Sequence, residues 1–312
     1  MTLAFVFPGQ GSQYVGMGRE LCEQYQEARA VFEQADQALG FPMTEMCFNG
    51  PAEDLSQTVN TQPAILTVSA ACLAVWNKLD GATPAAVAGH SLGEYSALVA
   101  AGSLGFSDAV SLVRKRGRYM QEAVPAGAGG MAALVGLSGQ EARELCQKAS
   151  VMGVVEAVNL NCPGQVVIAG DNNGLRAAAG LAKEAKAKCI PLSVSAPFHS
   201  SLMRPAGARL EADLESIIIR DPHVPVVANV TADYARTGAE IKELLVRQVY
   251  SPVLWEESIA RLIESGVDAV LEIGPGKVLS GLVKKINRKI RIANIDTPAS
   301  FEKALALVGE VG

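Results

Sequence analysis

The chain has 312 residues, 49% hydrophobic and 19% charged, with a formal net charge of −5. That is the balance of a globular protein with room for one large domain and a smaller one, not of a disordered or fibrous chain. The acidic balance argues against a nucleic-acid partner, no apolar run of membrane-spanning length is expected, and six scattered cysteines without a C-x-x-C pair read as reduced thiols, with no disulfide frame and no metal site.

Residues 3–7 are a short apolar run ended by Pro8-Gly9, a strand followed by a turn. With no basic residue before Arg19, the N-terminus predicts no secretory leader, and the expected location is cytoplasmic. The loop Pro8-Gly9-Gln10-Gly11-Ser12-Gln13 has neither the glycine spacing of a dinucleotide fingerprint nor the lysine of a P-loop. It offers instead backbone amides at the carboxyl end of a first strand, where ligand sites form in α/β sheets. Helical patterns follow over 18–38 and, after Thr61-Gln62-Pro63, over 64–79.

Residues 85–88 read as the end of a buried strand, and the pattern turns helical from Leu92. Between them, Gly89-His90-Ser91-Leu92-Gly93 fits G-x-S-x-G, the nucleophile elbow. A strand that turns at once into a helix strains its central residue and exposes the serine oxygen. The Leu92 amide then points where an oxyanion would form, and the helix N-terminus adds partial positive charge. A plain glycine-rich turn with a capping serine is the alternative on this stretch alone.

After Ser107-Asp108 a helix places Ala109, Leu112, Val113 and Met120 on one face, with Arg116 in the middle of it. An arginine on an apolar stripe is costly unless paired. Two readings stand: an ion pair or snorkelling side chain, and a clamp for a substrate carboxylate.

Gly127-Ala128-Gly129-Gly130 looks like a linker. Beyond it the pattern runs strand 131–135, helix 139–149, strand 154–159, turn 161–164, strand 165–169, helix 173–187, strand 189–194. This β-α-β-β-α-β order is the ferredoxin-like split unit. Ala196-Pro197-Phe198-His199-Ser200 leads into a helix over 202–218, followed by strands 224–229 and 269–273 with helices 240–249 and 255–265 between them. Gly274-Pro275-Gly276 ends the last strand and reads as a plain turn into another helix. The expectation is an α/β fold: a mostly parallel, helix-covered sheet over 1–126 and 197–312, with a small inserted subdomain over 127–196.

A serine nucleophile needs a base, and three histidines exist. His90 adjoins Ser91 on a sharp turn and points away; His223 reads as surface; His199, in a loop at a strand-to-helix junction, is left. Among the acids Asp108, Glu122, Glu156 and Asp171 none has a convincing context, and a neutral carbonyl or amide could orient the imidazole instead.

Phe7-Pro8-Gly9-Gln10-Gly11-Ser12-Gln13, Gly89-His90-Ser91-Leu92-Gly93-Glu94, the Arg116 segment, the stretch 161–170, Pro197-Phe198-His199 and Gln248-x-x-Ser251-Pro252-Val253-x-Trp255 together resemble the malonyl-CoA:acyl-carrier-protein transacylase family. The resemblance covers nearly the whole chain in the family's motif order. It implies a hydrolase-like α/β domain with a ferredoxin-like subdomain, and ping-pong transfer of malonyl from malonyl-CoA to acyl carrier protein. It further implies Ser91 as nucleophile, His199 as base, Gln248 as the group whose carbonyl orients the histidine, the Gln10 and Leu92 amides as oxyanion hole, and Arg116 on the malonyl carboxylate. No metal and no bound cofactor are expected, and the expected state is a monomer. Phe198 departs from the serine usual in the bacterial enzymes and resembles the phenylalanine of malonyl-selective polyketide acyltransferase domains. A basic cluster, Lys284, Lys285, Arg288, Lys289 and Arg291, reads either as a docking face for an acidic carrier protein or as an ordinary solvated face. A thioesterase-like hydrolase would carry a catalytic acid and no arginine clamp; a non-catalytic relative would lack Ser91 or His199.

Overall fold

The computed structural model describes residues 2–79, 81–194 and 196–309. Leu3–Phe7 (β1) is buried throughout. Leu3, Phe5 and Phe7 join the apolar cluster on one face, and Ala4 and Val6 the cluster on the other. Ala86–Gly89 (β2) is likewise fully buried. Strands covered on both faces read as unbroken apolar runs, which is why these were legible.

Four strands then form a separate antiparallel sheet: Gly129–Val135 (β3), Val155–Cys162 (β4), Gln165–Asp171 (β5) and Lys188–Pro191 (β6), in the order β4-β5-β3-β6. The helices Gly139–Ala149 and Asn172–Glu184 pack on each other and over one face. On the opposite face Met131, Val167 and Ala169 join the core of the large unit. The β4-β5 turn is two residues, Pro163-Gly164, with Gly164 at φ 76°. β4 runs through Cys162, three residues beyond the expected strand end, because Leu160 and Cys162 pair with Val166 and Gln165 of β5; on its other side the Val253 amide donates to Val158 O and the Leu160 amide to Val253 O.

The chain returns to the large sheet with Val226–Ala228 (β7), Asp233–Ala235 (β8), Ala269–Ile273 (β9) and Arg291–Ile295 (β10). The order is β10-β9-β1-β2-β7-β8, parallel except for β8, which is antiparallel to β7. β8 and β10 escaped the sequence pattern: both lie at sheet edges, partly exposed, and carry no apolar run.

Three expectations are corrected. The helix expected over 64–79 is Thr58–Lys78, carrying Pro63 inside it. The turn before the proline is held by Thr61 Oγ1 donating to Leu55 O and by the Asn60 and Thr61 amides on Gln57 O. This 21-residue helix is long and apolar enough to cross a membrane, against the expectation that no run reaches that length. Here it is a core helix, packed between Gln26–Leu39 and Phe106–Glu122. The pattern over 18–38 is two helices, Arg19–Gln24 and Gln26–Leu39, parted by extended Tyr25.

Candidate active site

β2 ends at Gly89 and the helix Gly93–Ala100 starts four residues later. Ser91 lies between them at φ 52°, a left-handed conformation that a non-glycine residue adopts at a cost. The flanking glycines are required by close approach. A Cβ on Gly89 would run into the Gly93 carbonyl, and one on Gly93 into the carbonyl of Phe7. The elbow is also braced from behind: Asn229 accepts from the Ser91 amide at 2.7 Å and donates to Gly89 O at 2.7 Å.

Ser91 Oγ lies 2.7 Å from His199 Nε2. His199 is 3% exposed and held at φ 62° in the loop before the short helix Ser201–Met203, with Ser200 Oγ donating to Pro197 O. Its Nδ1 is 2.7 Å from the Gln248 carbonyl oxygen. A carbonyl only accepts, so Nδ1 carries the hydrogen, and Nε2 is left with a lone pair for the Ser91 hydroxyl. Gln248 is the last residue of the helix Gly238–Gln248, so its carbonyl has no intrahelical partner. The negative end of that helix faces the imidazole. Burial, and then the charge of Arg116, push the His199 pKa down to about 3, which keeps the ring neutral.

The acids weighed in the sequence go elsewhere. Glu122 pairs with Arg209, Glu156 accepts from Ser201, and Asp171 caps the helix Asn172–Glu184. Asp108 lies in the first turn of Phe106–Glu122, whose N-cap is Gly105. His90 turns away from Ser91 onto Asn161 Oδ1, at 2.9 Å, and packs against Trp255; His223 is exposed.

Arg116 is 1% exposed, on the inner face of Phe106–Glu122. Nη1 donates to Gln62 Oε1 at 2.7 Å, and Nη2 to Gln248 Oε1 at 2.8 Å and Ser91 Oγ at 3.1 Å. Among the described residues no carboxylate hydrogen-bonds to it. A buried guanidinium whose hydrogen-bond acceptors are all neutral can receive an anion. The ion-pair alternative from the sequence is therefore not what the structure holds.

Gln10, Leu92, Gln62, Met120, Met131, Asn159 and Phe198 line the cavity of about 110 Å³ that Ser91, Arg116 and His199 share. Neither the Gln10 nor the Leu92 amide donates to a protein acceptor among the described residues, so both are free for an oxyanion. Among the described residues there is no group of three His, Cys, Asp or Glu side chains that could hold a metal ion. In the basic cluster, Arg291 is spent on Asp268 and Lys285 reaches Gln165, while Lys284, Arg288 and Lys289 are exposed and unpaired among the described residues.

Sequence reasoning missed Gln62, Glu94 and Asn229 as parts of the site. Gln62, next to Pro63, reads in the sequence as part of a helix break, although a polar residue facing into an apolar helix cluster is a signal. Glu94, 3% exposed, is an acid in the first turn of an otherwise apolar helix. Asn229 carries no local signal, since its partners lie 138 and 140 residues away.

The acyl transferase domain family matches residues 4–304. A malonyl CoA-acyl carrier protein transacylase of Bacillus subtilis is 52% identical over 310 residues, 99% of this chain and 98% of that protein. The crystal structure of an acyl-carrier-protein S-malonyltransferase from Burkholderia pseudomallei superposes with a TM-score of 0.96 at 48% identity, covering 98% of this chain and 100% of that one. A malonyl-transacylase in complex with its type II PKS acyl-carrier protein gives a TM-score of 0.96 at 42% identity, over 98% and 100% of the two chains. With near-complete coverage on both sides and a serine–histidine pair at the elbow, the chain is an acyltransferase and belongs to the malonyl CoA-acyl carrier protein transacylase family.

Proposed function

We propose that this chain moves the malonyl group from malonyl-CoA to the phosphopantetheine thiol of acyl carrier protein, through a malonyl ester on Ser91, and so supplies fatty acid or polyketide synthesis. His199 Nε2 takes the Ser91 proton as Oγ attacks the thioester carbonyl. The Leu92 and Gln10 amides receive the oxyanion. The imidazolium keeps its Nδ1 hydrogen on the Gln248 carbonyl and passes the Nε2 proton to the departing CoA sulfur. The carrier thiol then gives its proton to His199 and attacks the Ser91 ester, and His199 Nε2 returns that proton to the departing Ser91 Oγ. Nucleophile, base and oxyanion donors suffice for this chemistry without a metal or bound cofactor.

The observation that carries the reading is Arg116: a buried cation 3.1 Å from the nucleophile, with neutral acceptors only. A bidentate clamp there selects an acyl group ending in a carboxylate, which favours malonyl over a neutral acyl chain and transfer over a simple esterase. The relatives support the partner by their names, and one of them was solved with its carrier protein. We assign docking of an acidic carrier to Lys284, Arg288 and Lys289, the exposed and unpaired members of the basic cluster. We infer a monomer acting in the cytoplasm.

We also assign the large unit, 1–126 and 197–312, to the hydrolase-like class and 127–196 to the ferredoxin-like class. The order β4-β5-β3-β6, antiparallel throughout with both helices on one face, supports the latter. The parallel sheet with a G-x-S-x-G elbow after β2 supports the former.

The test is the intact mass of the protein after mixing with malonyl-CoA and then with acyl carrier protein. A malonyl adduct should appear in the wild type, be absent in Ser91→Ala, and leave for the carrier. Free malonate in place of malonyl-carrier would make the enzyme a hydrolase.

A further inference from the structure

Arg116 can act as a clamp only if something holds it beside Ser91 without taking up the face it shows the substrate. Its Nη2 rests on Gln248 Oε1 at 2.8 Å, and Gln248 is wholly buried. The other end of that amide, Nε2, donates to Ser91 O at 3.0 Å and to Glu94 Oε2 at 2.8 Å. Glu94 Oε2 also accepts from the Asn229 backbone amide at 3.0 Å. The Ser91 carbonyl only accepts and a guanidinium only donates, so the Gln248 amide turns its NH₂ towards Ser91 O and Glu94 Oε2 and its carbonyl towards Arg116. An amide in the reverse orientation would set an NH₂ group against the guanidinium.

Resting on the reading of Arg116 as carboxylate clamp, we propose that Glu94 is a positioning residue for that clamp. It acts through the Gln248 side chain and never touches the substrate. Gln248 thereby serves two parts of the site. Its main-chain carbonyl holds His199, and its side chain, anchored by Glu94, holds Arg116. The same Glu94 oxygen grips Asn229, whose side chain braces the Ser91 amide. One buried carboxylate therefore ties the elbow to the clamp. Its place in the first turn of Gly93–Ala100, at the positive end of the helix, suits a carboxylate.

The test measures acylation of Ser91 by malonyl-CoA and by acetyl-CoA, by quenched-flow intact mass, in the full-length protein. Glu94→Leu removes the acceptor, and the malonyl-to-acetyl rate ratio should fall about tenfold, as expected for losing a buried hydrogen bond to a charged group. Glu94→Gln, which can place an oxygen where Oε2 stands, should restore most of the ratio. Gln248→Leu keeps the main-chain carbonyl for His199 and should lower the ratio as Glu94→Leu does. In the double variant the ratio should fall no further than in Gln248→Leu, because Glu94 acts only through that amide. Equal losses for both acyl groups in Glu94→Leu, or additive losses in the double variant, would overturn the proposal. If Glu94→Leu does not fold, Gln248→Leu and Glu94→Gln decide. A Gln248→Leu ratio equal to wild type overturns the relay, as does a Glu94→Gln ratio as low as that of Gln248→Leu. Failure of the wild type to form any malonyl adduct is a separate result and would sink the clamp reading itself.

Discussion

Arg116 Nη2 stands 3.1 Å from Ser91 Oγ, the same oxygen that meets His199 Nε2 at 2.7 Å. A fixed positive charge at the nucleophile favours the developing alkoxide and disfavours protonation of the base. The low His199 pKa follows from burial and then from this neighbour, so the proposed clamp and the proposed base are electrostatically linked.

Removing the clamp should change substrate preference more than it changes catalysis. Arg116→Ala is expected to slow malonyl transfer about a hundredfold, the worth of a bidentate charge-assisted pair, with a far smaller loss for acetyl. Arg116→Lys should recover only part, since one ammonium cannot span Gln62 and Gln248. Steady-state rates with the two CoA esters check this; equal losses would count against a carboxylate site.

His199→Ala should lower Ser91 acylation by about a hundredfold to ten-thousandfold, the usual range for a general base. Near-normal rates in quenched-flow acylation would remove His199 from the reaction.

Acid stability has a sign that can be worked out. His199 titrates at about 3 in the folded protein against an ordinary 6.5, so between these values the unfolded chain binds a proton that the native state refuses. Its contribution is full above 6.5 and is lost as pH falls towards 3. Burial pushes Glu94 the other way, up to about 7 from an ordinary 4.5, so its contribution is full below 4.5 and is lost as pH rises towards 7. Between 4.5 and 6.5 the two oppose each other. Urea midpoints at about pH 5 and about pH 7 should therefore show a flatter acid decline for His199→Asn and a steeper one for Glu94→Gln. Identical slopes in both variants would refute the assignment.

The elbow glycines should tolerate no side chain. Gly93→Ala drives a Cβ into the Phe7 carbonyl, and Gly89→Ala drives one into Gly93 itself. Each should cost more than about 2 kcal/mol in urea unfolding, the range of severe backbone clashes. A loss below half that figure would show that the turn relaxes.

Carrier docking separates from chemistry. Charge reversal at Lys284 and Lys289 should raise KM for acyl carrier protein severalfold and leave malonyl-CoA acylation of Ser91 unchanged, because both side chains are exposed. An unchanged carrier KM, titrated at low salt, would move the docking surface elsewhere.

The local pattern alone determined the buried strands β1, β2 and β9, the elbow between strand and helix, and the odd placement of Arg116 on an apolar stripe. Each of these is written within a few residues, as an apolar run, a glycine spacing or a helical period. Elimination among the three histidines added His199 and the elbow pattern the Leu92 amide, while the resemblance to a family added Gln248 and the Gln10 amide. Only the tertiary structure decided what those residues touch. Gln62, Asn229 and Gln248 meet Arg116 and Ser91 across 54 to 157 positions of sequence, and no local pattern carries such a pairing. The histidine's partner shows the limit most clearly. It is a backbone carbonyl, available because a helix ends at Gln248 and leaves that oxygen unbonded, and every residue has such an oxygen. A side-chain alphabet cannot mark which carbonyl is free; the geometry of a helix end does.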